Sequence, residues 1–172
     1  MTNEQVQLLG QVFGGMLERE YQTTRRVLAA MPEDQASFTP NPVAKTARDL
    51  MWHIASSEAW FGQGILAAAF DQPEPPMPAD ITLAGIVEWY DKTVPPVIEK
   101  VKALPPEALG KNLNFFNVFN MPAVFYLGFW NSHSIHHRGQ LSTYLRCVGA
   151  KVPSIYGGSA DEPFEMPQAA QG

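Results

Sequence analysis

The amino-acid sequence predicts an all-α fold, a four-helix bundle with long crossover connections. Apolar residues recur at three- and four-residue intervals over four long segments, the spacing of a helix with one buried face. The segments between them are rich in proline, and no stretch shows a convincing strand alternation. A length of 172 residues suits one domain. We therefore expect a single domain over residues 1–172, with helices at about 4–31, 46–70, 83–104 and 122–148 and a turn-rich tail at 150–172.

The first predicted helix covers residues 4–31. Pro32 ends it, because a proline disfavours helical geometry in the residue before it. Two further prolines, Pro40 and Pro42, predict a rigid connection to the next helix. The apolar residues that recur at helical intervals are Leu8, Val12, Met16, Leu17, Tyr21, Val27 and Leu28.

Thr46 predicts the start of the second helix. The run from Thr46 to Asp49 matches a capping box, with Asp49 as a shorter stand-in for the usual glutamate. This helix is expected to continue to about Phe70. The proline-rich stretch from Pro73 to Pro78 is expected to be a crossover with little secondary structure.

The third predicted helix starts after Thr82, its expected N-cap, and ends at about Leu104. Pro95-Pro96 falls inside it, so we expect a kink or a break there. Residues 107–120 show no clear period, since asparagines alternate only loosely with apolar residues. We expect this segment to be a second long connection, partly extended.

The fourth predicted helix has Pro122 in its first turn and Gly149 as its C-terminal stop. Proline suits a first helical turn, where its missing N–H costs nothing, and glycine suits the left-handed residue that closes a helix. The tail after Gly149 is rich in turn residues. We expect it to pack through Ile155 and Tyr156 and then to fray.

Composition excludes several classes of function. The 12 basic and 17 acidic residues give a net charge of −5, and the basic residues are scattered, so nucleic-acid binding is not expected. No uncharged apolar run is long enough to span a membrane, and the N-terminus lacks the basic region of a secretory signal. We expect a cytoplasmic protein. Charged residues make up only 17% of the chain, which leaves room for apolar contacts between subunits and favours a homo-oligomer. We expect a homodimer.

Three of the four histidines, His133, His136 and His137, lie close together on the fourth predicted helix. Residues four apart point from the same helix face, so His133 and His137 can direct imidazole nitrogens at one ion. Their face also carries apolar and aromatic residues and therefore points into the core. His136 lies about 100° round the helix and cannot share the ion.

The remaining histidine, His53, lies on the predicted core face of the second helix, where the small residues Ser57 and Gly64 leave space. Together with His133 and His137 it would form a three-nitrogen site with open coordination positions, which suits catalysis, whereas structural zinc sites close all four. A structural interpretation also fits: histidine pairs at this spacing occur by chance, and an inward histidine is often a hydrogen-bonded core residue. The residues alone leave both interpretations open.

The chain resembles the DinB/YfiT family of metalloproteins. The resemblance rests on His53 in the second helix, on the segment His133 to Leu141 with its His-Arg-Gly-Gln motif, on the Thr46 start and on residues 149–157. It covers nearly the whole chain, and the His-Arg-Gly-Gln motif is its most specific part. The resemblance implies a four-helix bundle, often dimeric, that holds one divalent ion on His53, His133 and His137; we expect zinc or nickel.

What the resemblance implies about activity is less specific. Similar proteins include S-transferases and isomerases that use the low-molecular-weight thiols bacillithiol, mycothiol or glutathione. A metal ion holds a thiol as the nucleophilic thiolate at neutral pH, and it can also activate water for hydrolysis. We expect a thiol-cofactor-dependent S-transferase acting on a small-molecule substrate. The alternatives are a metal-dependent hydrolase and a metal- or ligand-binding bundle without turnover, and no catalytic residue beyond the metal ligands is assigned.

Other residues receive structural interpretations. We expect Glu58 and Arg138 at the surface, Gly139 and Gln140 in helix packing, and Tyr144 in the core, with contact to a ligand as the alternative. Cys147 is expected to be an inert buried thiol. The aromatic residues expected to form core or a subunit interface are Phe115, Phe116, Phe119, Phe125, Phe129 and Trp130.

Overall fold

The structure, a computed structural model, describes residues 1–164 of the chain. These residues are 61% helical, well above the average of about 30–35% for globular proteins, which confirms the predicted all-α class. The elements are α1 (Asn3–Ala29), α2 (Ala47–Ala67), α3 (Leu83–Lys102), the short α4 (Pro106–Leu109), β1 (Asn112–Phe115), β2 (Phe119–Pro122) and α5 (Ala123–Cys147), with a single 3-10 turn at Glu33–Gln35.

The four long helices form a ring of neighbours. Helix α1 packs on α5 and α3, and α2 packs on α3 and α5. The connections from α1 to α2 and from α3 to α5 therefore cross the bundle, which matches a known topology of four-helix bundles. The proline-rich stretch at 73–78 was expected to be a crossover, but it joins the neighbouring helices α2 and α3. Among residues 1–164, no helix combines the length and apolar content that a membrane span requires.

Helix α1 buries only part of the apolar face that the sequence predicts, with Leu17, Val27 and Leu28 in the core. Leu8 and Val12 are 61% and 48% exposed, whereas Gly10 and Gly14 are buried. A Cβ at Gly14 would lie 2.8 Å from the side chain of Lys102 on α3, so the glycine permits close packing of the two helices. Glycine adds nothing to a hydrophobic pattern, and for this reason this part of the buried face was not apparent from the sequence.

The predicted caps of α2, α3 and α5 are confirmed. Thr46 accepts the backbone N–H of Asp49 at 3.1 Å, and Thr82 accepts that of Gly85 at 3.0 Å. Gly149 has φ +72°, and the next residue donates its N–H to Leu145 O at 2.9 Å, which is the closing bond of a Schellman motif.

Two expectations about prolines change. Helix α3 continues through Pro95 and Pro96 without a break, and Pro96 lies on its exposed face. Pro122 is the residue before α5 rather than a member of its first turn. Of the tail, the part up to residue 164 is described, where Ile155 packs on the core; the predicted fraying falls on residues 165–172, outside the described residues.

The segment 107–120, predicted to be a partly extended connection, instead contains α4 and most of an antiparallel hairpin. The register pairs Leu113 with Met121 and Phe115 with Phe119. Three residues, 116–118, connect the strands. Phe116 and Asn117 have φ of +52° and +58°, in the left-handed region, and Val118 donates its N–H to Phe115 O at 2.9 Å, as in a type I′ turn. The expectation of no strand was wrong here, because the alternation of Asn112 to Phe115 is only four residues long.

Glu58, expected at the surface, is 3% exposed and lies inside the bundle. Its Oε2 accepts a hydrogen bond from the hydroxyl of Tyr90 on α3 at 2.9 Å, while Oε1 has no partner among the described residues. Burial raises the pKa of Glu58 to about 7, although the Tyr90 hydroxyl opposes the shift. The sequence position of Glu58, five residues after His53, gave no sign of this because α2 is buried on nearly all sides.

Arg138, also expected at the surface, is 1% exposed. Its guanidinium pairs with Glu20 on α1, donates to Thr24 Oγ1 at 3.2 Å and donates to the Tyr156 hydroxyl at 2.7 Å. It therefore ties α5 to α1 and to the C-terminal tail. Cys147, in contrast, was expected to be buried and is exposed at the end of α5.

We predict that Glu58→Gln removes a pH dependence of stability. The unfolded carboxyl titrates near 4.5 and the folded one near 7, so the free energy of unfolding of the wild type falls as pH rises between these values. The variant stays neutral, so its stability relative to wild type should rise by about 3 kcal/mol from pH 4.5 to pH 8. Urea unfolding at both pH values measures this change. Glu88→Gln, at an exposed glutamate, is the control, and a difference for Glu58→Gln that does not change with pH would contradict the prediction.

We predict that Arg138→Met destabilises the fold by about 3–5 kcal/mol, because it leaves Glu20 without its buried partner. Arg138→Lys should recover only part of this loss, since an ammonium cannot serve Glu20, Thr24 and Tyr156 in the fork geometry of a guanidinium. Urea unfolding of the two variants tests whether Arg138→Lys is more stable than Arg138→Met and less stable than wild type. The control is Arg146→Lys, whose ion pair with Asp161 is half exposed and should matter by less than about 0.5 kcal/mol.

Candidate metal centre

The packing of α2 against α5 brings the three predicted histidines together. His53 comes from α2, and His133 and His137 come from successive turns of α5. Each offers a donor atom, and these atoms all lie within 4.8 Å of one another. The rings are half-buried. The site lies at one edge of the bundle, between the core and the solvent.

The spacing of the donor atoms suits a single ion. The Nε2 atoms of His53 and His137 are 3.2 Å apart. Two imidazoles bound to one zinc ion at about 2.0–2.1 Å with tetrahedral angles place their nitrogens about 3.3 Å apart. The nitrogens of His53 and His137 therefore have the separation that two ligands of one tetrahedral ion require.

A polar group lies beside one ring nitrogen of each histidine. Gln140 Oε1 accepts from His137 Nδ1 at 2.9 Å, so the Nε2 lone pair of His137 faces His53. The Ser57 hydroxyl donates to the carbonyl of His53, which leaves its oxygen to face His133 Nδ1 at 3.5 Å as an acceptor. The Glu74 carboxylate lies 3.7 Å from His53 Nδ1. Metal-bound histidines usually have such partners.

Glu74 is placed by the connection between α2 and α3, which two tryptophans of α2 hold in position. Trp60 donates its indole N–H to Gln72 O at 2.6 Å, and Trp52 donates to Pro75 O at 3.2 Å. The contact with His53, together with a hydrogen bond from Ser56, lowers the pKa of Glu74 despite its partial burial. The carboxylate is therefore ionised beside the site at neutral pH.

The environment keeps the α5 histidines neutral. Burial, followed by the nearby His137 and His53, lowers the pKa of His133 to about 4. Burial also lowers the pKa of His137, against the hydrogen bond to Gln140. Imidazole binds a metal only in its neutral form, so these two residues need lose no proton at pH 7 in order to bind.

Two residues next to the site, Gln140 and Gly139, do not have the packing role that was expected of them. Gln140, assigned to helix packing, is exposed and bonds to both His137 and His136. Gly139 is also exposed, with nothing within 4 Å of the position a Cβ would take, so it has no packing role that the structure shows. His136 is exposed and its nitrogens are not among the clustered donor atoms, in agreement with the helix geometry. Tyr144 is buried, as expected, and donates to Lys45 O at 3.1 Å.

Two cavities adjoin the histidine cluster. A polar cavity of about 370 Å³ adjoins His53 and is lined in part by Lys45, Asp49, Ser56 and Glu74. A second cavity, of about 560 Å³, adjoins His133. We call it the aromatic cavity; its ring-bearing residues are Trp60, Phe61, Phe115, Phe116, Phe129 and His133.

Comparison with known proteins gives one consistent result. The sequence model described as the DinB family matches residues 7–167. The chain is 24% identical over 150 residues to a Bacillus subtilis (strain 168) protein named uncharacterized protein YrdA, covering 84% of this chain and 86% of that one. Crystal structures of DinB-like proteins share the fold. The one from Bacillus cereus ATCC 10987 has a TM-score of 0.70 at 22% identity, covering 84% of this chain and 95% of that one. The protein YjoA from Bacillus subtilis gives 0.67 at 19% identity, covering 83% and 96%.

We predict that protein expressed with supplemented zinc or nickel binds about one equivalent of metal. His53→Ala, His133→Ala and His137→Ala should each lose most of it, whereas His136→Ala, a matched change on the same helix, should retain it. Gln140→Leu should weaken binding by about 10–100-fold, because His137 loses its orienting partner. Metal analysis after desalting measures content, and metal should also be lost as the pH falls well below 6.5. Wild-type protein with under about a tenth of an equivalent would exclude the site.

Proposed function

This chain belongs to the DinB family, and we propose that it is a metal-dependent S-transferase that acts on a small molecule with a low-molecular-weight thiol as cofactor. One divalent ion, zinc or nickel, would be held by His53, His133 and His137. The observation that carries the proposal is the cluster of three imidazoles, with one cavity beside His53 and another beside His133.

Open coordination supports an enzyme over a structural metal site. Within residues 1–164 the cluster of donor atoms contains the three histidines and no fourth ligand. The nearest carboxylate, Glu74, lies behind His53 on its Nδ1 side, where it orients the ring. Positions for an exogenous ligand therefore remain, as in catalytic sites and unlike closed structural sites.

The chemistry that the ion supplies when bound is to hold a thiol as its nucleophilic thiolate at neutral pH, since a coordinating thiol is deprotonated. The residues of the chain set up that chemistry. Gln140, Ser57 and Glu74 orient the three rings, and burial keeps His133 and His137 unprotonated. Borderline-soft ions such as zinc bind both imidazole and thiolate.

The two cavities suit two substrates of different polarity. The polar cavity beside His53 is lined by the exposed Lys45 and by the carboxylates of Asp49 and Glu74, so it suits a polar thiol that carries charges of both signs, such as glutathione. The aromatic cavity beside His133 suits an apolar acceptor. Each cavity adjoins a histidine of the cluster, so a thiol in one cavity and an acceptor in the other would both lie beside the metal site.

We predict that bacillithiol, mycothiol or glutathione added to the cobalt-substituted protein creates a sulfur-to-metal charge-transfer band. The band should be absent in His53→Ala, fade as acidification protonates thiol and histidines, and remain in His136→Ala. Lys45→Ala, at the edge of the polar cavity, should raise the thiol concentration needed without abolishing the band.

The protein must retain cobalt after desalting, because a thiol that strips the metal gives colour in solution. A spectrum that responds to hydroxide or simple anions but to none of the three thiols would exclude the transferase. It would favour the metal-dependent hydrolase if ester or amide substrates then turn over, and a binding protein if none does.

A further inference from the structure

The aromatic cavity is built in a way that core packing does not require. Phe116 is 62% exposed, yet its ring lies parallel to that of Trp60, at an interplanar angle of 6° and a centroid distance of 6.1 Å. Its backbone has φ +52°, a conformation that is costly for a bulky side chain. The hairpin turn therefore holds an aromatic ring over the cavity instead of burying it.

The remaining walls offer flat and edge-on ring surfaces. Phe61 and Phe115 are parallel, with an interplanar angle of 3° and centroids 6.2 Å apart, and Phe129 meets both of these rings edge-on. Rings in such arrangements favour a further aromatic ring by stacking and edge-to-face contact. The volume of about 560 Å³ falls within the range of small-molecule sites and accommodates a compound of one or two rings.

The charges around the cavity restrict what it accepts. Asp71 and Glu74 lie at its rim, and no lysine or arginine is among its lining residues. An aromatic carboxylate would meet two negative charges without a compensating cation, whereas a neutral compound would not. Apart from these two carboxylates, the cavity offers few polar groups to a ligand, because most of its lining surface is apolar.

The cavity is continuous with the histidine cluster. His133, one of its lining residues, meets the ring of Phe61 edge-on at 5.3 Å between centroids. A ring bound between Phe61 and Phe116 is therefore adjacent to His133 of the cluster. This continuity distinguishes the cavity from an apolar surface patch that is unrelated to the site.

We propose that the aromatic cavity binds a neutral planar aromatic compound of one or two rings, the acceptor substrate of this protein, with the ring of Phe116 as one wall of the site. The role as acceptor rests on the proposed function. Binding of the aromatic compound in the cavity does not rest on the proposed function, because the cavity walls that select it are side chains of the protein and not the metal.

The experiment measures binding of 2-naphthol and of 2-naphthoate, two probes of matched size, to the full-length protein, both metal-loaded and metal-stripped. Calorimetry or probe fluorescence gives the dissociation constants. We expect 2-naphthol to bind both forms, and 2-naphthoate to bind the metal-stripped protein at least about tenfold more weakly. Asp71→Asn should reduce this difference by tightening naphthoate binding while leaving naphthol binding unchanged.

Side-chain variants locate the probe. Phe116→Gly removes the ring and also relieves the left-handed backbone, so the variant should fold, and it should bind 2-naphthol about three- to tenfold more weakly. Phe129→Ala should act in the same direction. Val118→Ala and Phe125→Ala are the controls, since both residues are exposed apolar neighbours that do not line the cavity.

The proposal is wrong if 2-naphthol binds Phe116→Gly and Phe129→Ala as tightly as wild type, or if naphthoate binds the metal-stripped protein as well as naphthol does. It is also wrong if Phe116→Gly changes the oligomeric state, by analytical ultracentrifugation, without changing naphthol binding, because the face would then belong to a second copy. Loss of the thiol-dependent cobalt band with naphthol binding intact would overturn the transferase and not the cavity.

Discussion

The packing of α2 against α5 is the contact on which the candidate site depends. It places His53 opposite His133 and His137 and brings the Nε2 atoms of His53 and His137 within 3.2 Å. It also withdraws the rings from water far enough to lower the pKa of His133 and His137. Desolvation alone would make these rings costly to bury, and acceptors on the Nδ1 side offset part of that cost. Neutral imidazole nitrogens that face one another in this way suit a metal cation bound between them.

The rest of the bundle supports that contact through buried polar groups. Arg138, one residue after His137, joins α5 to α1 and to the tail through Glu20 and Tyr156. Glu58, five residues after His53, joins α2 to α3 through Tyr90. Each of the two helices that carry histidines therefore also makes a buried polar contact with another helix. Such groups destabilise a fold when they lack partners, so they restrict the helices to the register in which the partners meet.

The connections do more than join helices. The proline-rich stretch after α2, held by the indoles of Trp52 and Trp60, places Glu74 behind His53 and forms the rim of both cavities. The hairpin before α5 places Phe115 and Phe116 over the aromatic cavity. Bundle helices alone would present the histidines on an open edge. Loops that pack on a rigid scaffold give the site its walls, and this is a common division of labour in proteins.

The sequence by itself determined the helices, their caps and the face of α5 that carries His133 and His137. These follow from local rules: hydrophobic period, a threonine at each of two helix starts and Gly149 at a left-handed position. The prediction that His53 shares a site with His133 and His137 rested on the family resemblance and on the helix faces together. The structure brings the three side chains together, and metal binding stays a prediction.

Only the tertiary structure decided which polar residues are buried. Glu58 and Arg138 were assigned to the surface and lie in the core, Cys147 was assigned to the core and is exposed, and Gln140 serves His137. The sequence gives no indication that a charged side chain is buried when the partner that permits its burial, such as Glu20 or Tyr90, lies far away in the chain. The short hairpin and the buried glycines of α1 were hidden for a related reason. Their stability comes from what packs against them and not from a periodic pattern of their own.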